Sequence, residues 1–434
     1  MTDLSRPDAD HYPVIVVGGG QVGLAVSYCL KQRSINHLIF EKEQLAYAWR
    51  TQRWDSFCLV TPNWQCQLPG FPYPGNDPYG FMKKDEIVKY VEDYAASFGP
   101  PLMEGIGVSR LGRKDKGMFA VSTSVGEYTA DQIVVAVGGY HTPTVPRIAK
   151  RLSHDVVQLH SARYLNPQSL PEGEVLVVGS GQSGCQIAED LHLAGRQVHL
   201  CVGGAPRSPR KYRGKDVVDW LHQMGYYDMP IHEHPLRGRV RAKANHYLTG
   251  RDGGREIDLR KLASEGMRLY GRLQNISGDR MEFRTDLKHN LDQADIVAEN
   301  IKTTIDNFIA KHQIAAPAEI RYQPVWQPDD IPLELDYREA GIRTIIWCIG
   351  YRSNFSWVDL PVFDGTGYPG HQRGVTGIGG LYFLGLPWLY TWGSGRFSGI
   401  ARDAQYLAER IEARLGNTNT LSTGILNERA LGKL

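Results

Sequence analysis

The 434-residue chain has no C-x-x-C pair, and its six cysteines (Cys29, Cys58, Cys66, Cys185, Cys201 and Cys348) are widely scattered. Dispersed thiols in a chain of this size suit buried, reduced cysteines in a cytoplasmic protein. They do not suit a disulfide framework or a redox-active dithiol. No run of about 18 apolar residues occurs, so no membrane-spanning helix is expected. Residues 1–10 lack the apolar stretch of a signal peptide. Charge of either sign is scarcely in excess: 49 basic against 47 acidic residues leave +2. Nucleic acid is therefore not expected as the main partner. His222, His232 and His234 are the nearest approach to a metal set, but Pro230 and Pro235 deny them a helix or strand frame. No Ser-His-Asp frame is identifiable.

Glycine, in contrast, is plentiful and patterned. Val14–Val17 precedes Gly18-Gly19-Gly20-Gln21-Val22-Gly23, and Val175–Val178 precedes Gly179-Ser180-Gly181-Gln182-Ser183-Gly184. In each G-x-G-x-x-G the first glycine permits a tight turn. The second lets the backbone approach a diphosphate, and the third lets helix and strand pack closely. The following helix N-terminus then holds phosphate oxygens with free N–H groups and its positive dipole end. Two such units imply two dinucleotides on one chain.

The units align without a gap over Gly18–Glu41 and Gly179–Val202, and they part at the last position. Glu41, followed by Lys42, suits a ribose with a free 2′-hydroxyl, so the first site is read as an FAD site. Val202 brings no acid, and Arg207, Arg210 and Lys211 follow it. Cations there suit a 2′-phosphate, so the second site is read as an NADPH site with Arg207 and Lys211 as phosphate ligands.

Periodicity predicts a strand over 12–17, a helix over 22–33, a strand over 37–41, a helix over 83–98 and a small meander over 108–130. Two apolar strands, 133–137 and 343–349, run into Gly138-Gly139-Tyr140 and Gly350-Tyr351. Residues 49–80 read as an irregular, aromatic loop region, and 212–300 give no clear elements. Beyond them, a helix is expected over 301–312. A strand over 381–385 and a Gly-rich loop then lead to a helix capped by Ser398. The first nine residues and the tail after Gly416 read as disordered or mobile. The fold class is α/β with two Rossmann-like units: an FAD domain of residues 1–165 and 337–434, split by an NADPH domain of 166–336.

Taken together, these features resemble the class B flavin-dependent monooxygenases, a superfamily that includes N/S-oxygenating, Baeyer–Villiger, YUCCA-type and CzcO-like flavoproteins. The resemblance covers roughly residues 11–413. Trp49-Arg50 matches the family's Trp-Arg after the ribose acid, with Ala48 in place of the usual glycine. Thr61-Pro62-Asn63 matches its polar stretch beside the flavin, which makes Asn63 the candidate catalytic residue. Gly385–Trp388 and the helix from Ser398 match its closing FAD segment. The linker fingerprint is half kept, with His160 and Tyr164 in place but His154 and Val156 replacing Phe and Gly.

What the resemblance implies is an oxygenase. NADPH reduces FAD, O2 gives a flavin C4a-(hydro)peroxide, and one oxygen atom enters a small organic substrate by N- or S-oxygenation or related chemistry. Such a site must be dry, and aromatic residues of 49–79 and 388–392 are candidates to enclose it. A reductase or oxidase without oxygen insertion is the alternative, and a non-catalytic FAD-binding sensor is a third reading. Substrate and oligomeric state stay open, a homodimer being compatible.

Overall fold

The computed structural model describes residues 10–114, 117–330 and 332–431, with side chains as far as Gly416. The expected disordered lead lies outside these residues. The first sheet is built from β1 (Asp10–Val17), β2 (His37–Phe40) and the short β3 (Leu102–Met103), all parallel. A meander, β4 (Val108–Arg113), β5 (Phe119–Thr123) and β6 (Gly126–Val135), brings β6 back parallel to β1. The segment expected as a meander end plus a separate strand is one continuous strand. Helix α1 (Gln21–Lys31) follows β1, and α2 (Lys84–Phe98) precedes β3. Alternation along β1 explains why it must be central. Val14 and Val16 enter one core with α1 and α2, while Ile15 and Val17 enter another with the meander.

The second sheet is wholly parallel. It comprises β7 (Val157–His160), β8 (Glu174–Val178), β9 (Val198–Cys201), β10 (Arg268–Tyr270) and β11 (Ile342–Trp347), ordered β7-β11-β8-β9-β10. Helix α3 (Gln182–Leu193) follows β8, and the long α4 (Leu287–Lys311) packs beside it through Leu287 and Leu291. Both β7 and β11 fall outside the expected 166–336 segment, yet they pair within this sheet. The physical reason is that β11 supplies the buried parallel partner that β8 needs on its other edge.

The chain then returns to the first sheet through β12 (Leu381–Phe383), parallel to β6, and α5 (Ile400–Leu431). The helix backbone continues through the tail expected to be mobile. The outward and return crossings run side by side, with Thr142–Pro143 pairing antiparallel to Tyr351–Arg352. No helix among the described residues is long and apolar enough to cross a membrane.

Candidate functional site

The two glycine turns have the same geometry. Gly18 and Gly179 both sit at φ +105°, a region L-residues avoid, where an added Cβ would strike the carbonyls of Ala136 and Cys348 at 2.8 and 2.7 Å. Gly23 and Gly184 are closed more tightly. A Cβ there would lie 1.9 and 1.8 Å from the Gly18 and Gly179 oxygens. Gly20 and Gly181 behave differently, since a Cβ on either meets nothing within 4 Å. The protein itself leaves that space open, at the start of α1 and of α3. This is the vacancy a diphosphate needs against a helix N-terminus.

Around the first turn, Glu41 accepts hydrogen bonds from Gly19 N–H at 2.6 Å and Glu43 N–H at 3.0 Å. A carboxylate has about four lone-pair sites, so two remain for a ribose diol. Gln21 ties the pocket together, accepting from Trp49 Nε1 and donating to the Gly395 carbonyl, both at 3.3 Å. Val22 packs under Gly385. The closing loop brings Ser398 beside Gly393, with its Oγ buried and without a hydrogen-bond partner among the described residues. The expected N-cap bond from Ser398 is therefore not made, and the hydroxyl is free for a bound group. Spare lone pairs, an open cradle and an orphaned hydroxyl together fit a flavin dinucleotide. Lys42 is exposed, 4.0 Å from Glu43, and Arg50 turns away to pair with Glu92 on α2 at 2.5 Å. The place expected for Arg50 on the nucleotide is thus not where its guanidinium lies.

The second turn is braced from outside. Ser180 Oγ accepts from Gly203 N–H at 2.9 Å, Gln182 donates to the Leu248 carbonyl at 2.6 Å, and Ser183 lies half-buried on the first turn of α3. Val202 is buried, and Gly203 and Gly204 have open space beyond them. Arg207 corrects its sequence reading. Its guanidinium is buried against the Tyr322 ring at 4.0 Å, with Glu256, Asp258 and Asp295 at 3.1, 3.5 and 3.3 Å. Burial alone would weaken its hold on the proton, but these carboxylates more than reverse that. Three carboxylates surround this one guanidinium, so it is committed within the protein and is no free cation for a 2′-phosphate. Arg210 is likewise committed to Asp216 at 2.5 Å. Lys211 stays exposed and lines a cavity of about 720 Å³ with Trp64, Asp219 and His222.

Asn63 also departs from expectation. It is 3% exposed, donates to the Asp77 carbonyl at 3.0 Å and accepts from Met82 N–H at 2.8 Å. Both ends of its amide are used to fix the 60–82 loop, so it is not free to reach a reacting oxygen. His160 has a packing role. Its Nδ1 accepts from Ala162 N–H, its Nε2 faces the Gly350 carbonyl at 3.1 Å, and burial pushes its pKa down. It thereby joins the outgoing and returning crossings.

Aromatic side chains of the expected loops pack across the two domains. Trp54, from the first domain's loop, is buried in the second domain's core beside Tyr164. Tyr227 packs on Trp392 and His234 on Trp388, so residues 226–246 cover the closing loop. The most informative residue missed in the sequence is Asp190. It accepts from Ser56 Oγ at 2.5 Å, Tyr164 OH at 2.7 Å and Arg251 at 2.8 Å. No group of three or more His, Cys, Asp or Glu among the described residues is arranged to hold a metal.

The comparisons agree with this architecture. Residues 15–229 match the family described as "Pyridine nucleotide-disulphide oxidoreductase". An uncharacterized CzcO-like oxidoreductase of Geobacillus kaustophilus is 36% identical over 402 residues, covering 92% of this chain and 97% of that relative. The chain belongs to the CzcO-like oxidoreductases. A probable indole-3-pyruvate monooxygenase of Arabidopsis thaliana, YUCCA4, is 34% identical over 43% of this chain and 46% of its own length. The solved flavin-containing monooxygenase of Stenotrophomonas maltophilia shares the fold, with TM-score 0.63, 18% identity, and 94% and 99% of the two chains covered. The ornithine N-hydroxylase of Kutzneria sp. 744, solved with reduced FAD and NADP+, shares the fold as well, with TM-score 0.60, 15% identity, and 93% and 99% of the two chains covered.

Proposed function

We propose that this chain is an NADPH-dependent monooxygenase that uses FAD to insert one atom of O2 into a small organic substrate. The observation that supports this reading is the pair of open glycine cradles, each at a helix N-terminus, on a chain whose aromatic loops pack across its two domains. Bound flavin supplies the redox chemistry, accepting hydride from nicotinamide and passing electrons to O2. The chain's own residues bind and exclude. The helix N-termini at Gln21 and Gln182 hold the diphosphates, and Glu41 holds the flavin-side ribose. Trp49, Phe397, Trp392 and Tyr227 keep water from the cleft. The absence of an acid at Val202 and the open ground at Gly203-Gly204 admit a 2′-phosphate, for which the exposed Lys211 is the candidate cation.

The matched family description favours a second reading, a reductase without oxygen insertion. The cysteines weigh against it. All six are buried and unbridged, and burial pushes Cys66 up to about 12 and Cys29 up to about 11. A thiol in that state is a poor nucleophile. Their reduced state suits a cytoplasmic setting. Turnover under 18O2 separates the two readings. Oxygenated product carrying one 18O is expected, whereas NADPH consumption that yields only H2 18O2 or water for every accepted substrate would leave the reductase reading.

A further inference from the structure

Buried arginines in this chain are mostly matched to carboxylates, as Arg207, Arg210 and Arg260 are. Arg53 and Arg396 are not. Both are half-buried and desolvated enough for burial to weaken their hold on the proton, yet neither has a carboxylate within 4.0 Å among the described residues. Arg53 lies over the Trp49 ring at 4.9 Å and donates to its neighbour's carbonyl at 2.8 Å. Arg396 lies over Trp392 at 4.0 Å, donates to the Trp392 carbonyl, and reaches Asn245 at 3.1 Å.

The two belong to one wall. Trp49, under Arg53, stacks on Phe397, the residue after Arg396, at 5.7 Å. Tyr140, a residue 61% exposed, stands at the outward crossing against Tyr351 at 5.7 Å. A cation withdrawn from water without a counter-ion is costly unless an anion joins it. The diphosphates do not call for this pair, because each has its own open glycine cradle and helix N-terminus, and the 2′-phosphate is provided for at Gly203-Gly204. Two guanidiniums without a counter-ion on one aromatic wall imply an anion beyond the two diphosphates.

We propose that Arg53 and Arg396 bind the carboxylate of the substrate, so that the enzyme's substrates are organic acids such as amino or keto acids. This rests on the monooxygenase reading, since it assigns the cleft's third ligand to the molecule being oxygenated. Guanidinium groups suit a carboxylate because their planar fork makes paired, charge-assisted hydrogen bonds. The flanking rings of Trp49, Trp392 and Tyr140 would pack the substrate's apolar portion.

The test is equilibrium binding to the oxidised, FAD-loaded enzyme, read from the perturbed flavin absorption, and needs no oxygen insertion. The probes are phenylacetate and 3-phenylpropionate, each set against its uncharged amide. The acids are expected to bind at least about tenfold more tightly than the amides. Arg53→Gln and Arg396→Gln should each weaken the acids by about ten- to a hundredfold and leave the amides unchanged. Should a glutamine variant lose its flavin, Arg53→Lys and Arg396→Lys decide the matter, because they keep the charge and lose the fork. Acid binding should then weaken by a smaller factor. If neither acid binds better than its amide, or if the variants leave acid binding intact, the proposal falls. Equal weakening of NADPH and NADH with unchanged acid binding would also overturn it, by giving the pair to the coenzyme. Failure of 18O incorporation with intact acid selectivity would instead count against the monooxygenase reading alone.

Discussion

Three glycines of one motif have three different physical duties, and this yields a sharp contrast at the residue scale. Gly20 faces space that the protein does not fill, whereas a Cβ on Gly23 would sit 1.9 Å from the Gly18 oxygen. Gly20→Val should therefore give folded protein with a normal circular-dichroism melt, but without yellow flavin, because the added methyls meet only the diphosphate. Gly23→Ala should fail earlier, with loss of soluble folded protein, since α1 cannot stay against β1. Full flavin loading of Gly20→Val would misplace the first cofactor. The glycines announce these duties in their spacing alone. Asn63 does not, because its partners are the backbone of Asp77 and Met82, and only the folded loop brings those atoms to it.

At the scale of elements, the nucleotide units were legible because β-branched strands, glycine turns and helical apolar spacing repeat twice at matching positions. Helix α4 was half missed. Its buried positions include Ala294, Ala298, Asn290 and Lys302, so small and polar residues dilute the apolar stripe. Membership of β7 and β11 in the second sheet was also hidden, since a strand's register partner is chosen by burial and not by order in the chain. The cations after β9 show the same limit from another side. Arg207 looked like a phosphate ligand because its acids, Glu256, Asp258 and Asp295, come from distant sequence. Removing one partner from a buried ion cluster typically costs about 3–5 kcal/mol. Arg207→Ala should thus lower the urea midpoint clearly and leave the NADPH-to-NADH ratio of kcat/KM unchanged. An unaltered midpoint with a selective rise in the NADPH KM would return Arg207 to coenzyme recognition.

For the whole molecule, the decisive feature is which groups hold the two domains in register. The crossings are a short antiparallel pair, Thr142–Pro143 with Tyr351–Arg352. Away from it, Asp190 on α3 gathers Ser56 from the first domain's loop, Tyr164 from the linker and Arg251 from the loop that covers the cleft. Its side chain is only 6% exposed, and all three partners donate to it. In Asp190→Asn the amide presents two donors to a site built for an acceptor, and the charge facing Arg251 is lost. The amide oxygen can keep two of the donors and the Tyr164 hydroxyl must turn to accept, so the bonds lose the charge assistance that makes each worth about 1.5–3 kcal/mol. Because these bonds join segments and are not at either glycine turn, cofactor loading should survive. What should change is closure of the cleft. The variant is expected to oxidise NADPH at a comparable rate, release a larger share of the electrons as H2O2, and expose residues 140–145 or 350–355 to limited proteolysis. Unchanged coupling and unchanged proteolysis would mean that the Trp54 plug in the second core holds the domains without the carboxylate's help.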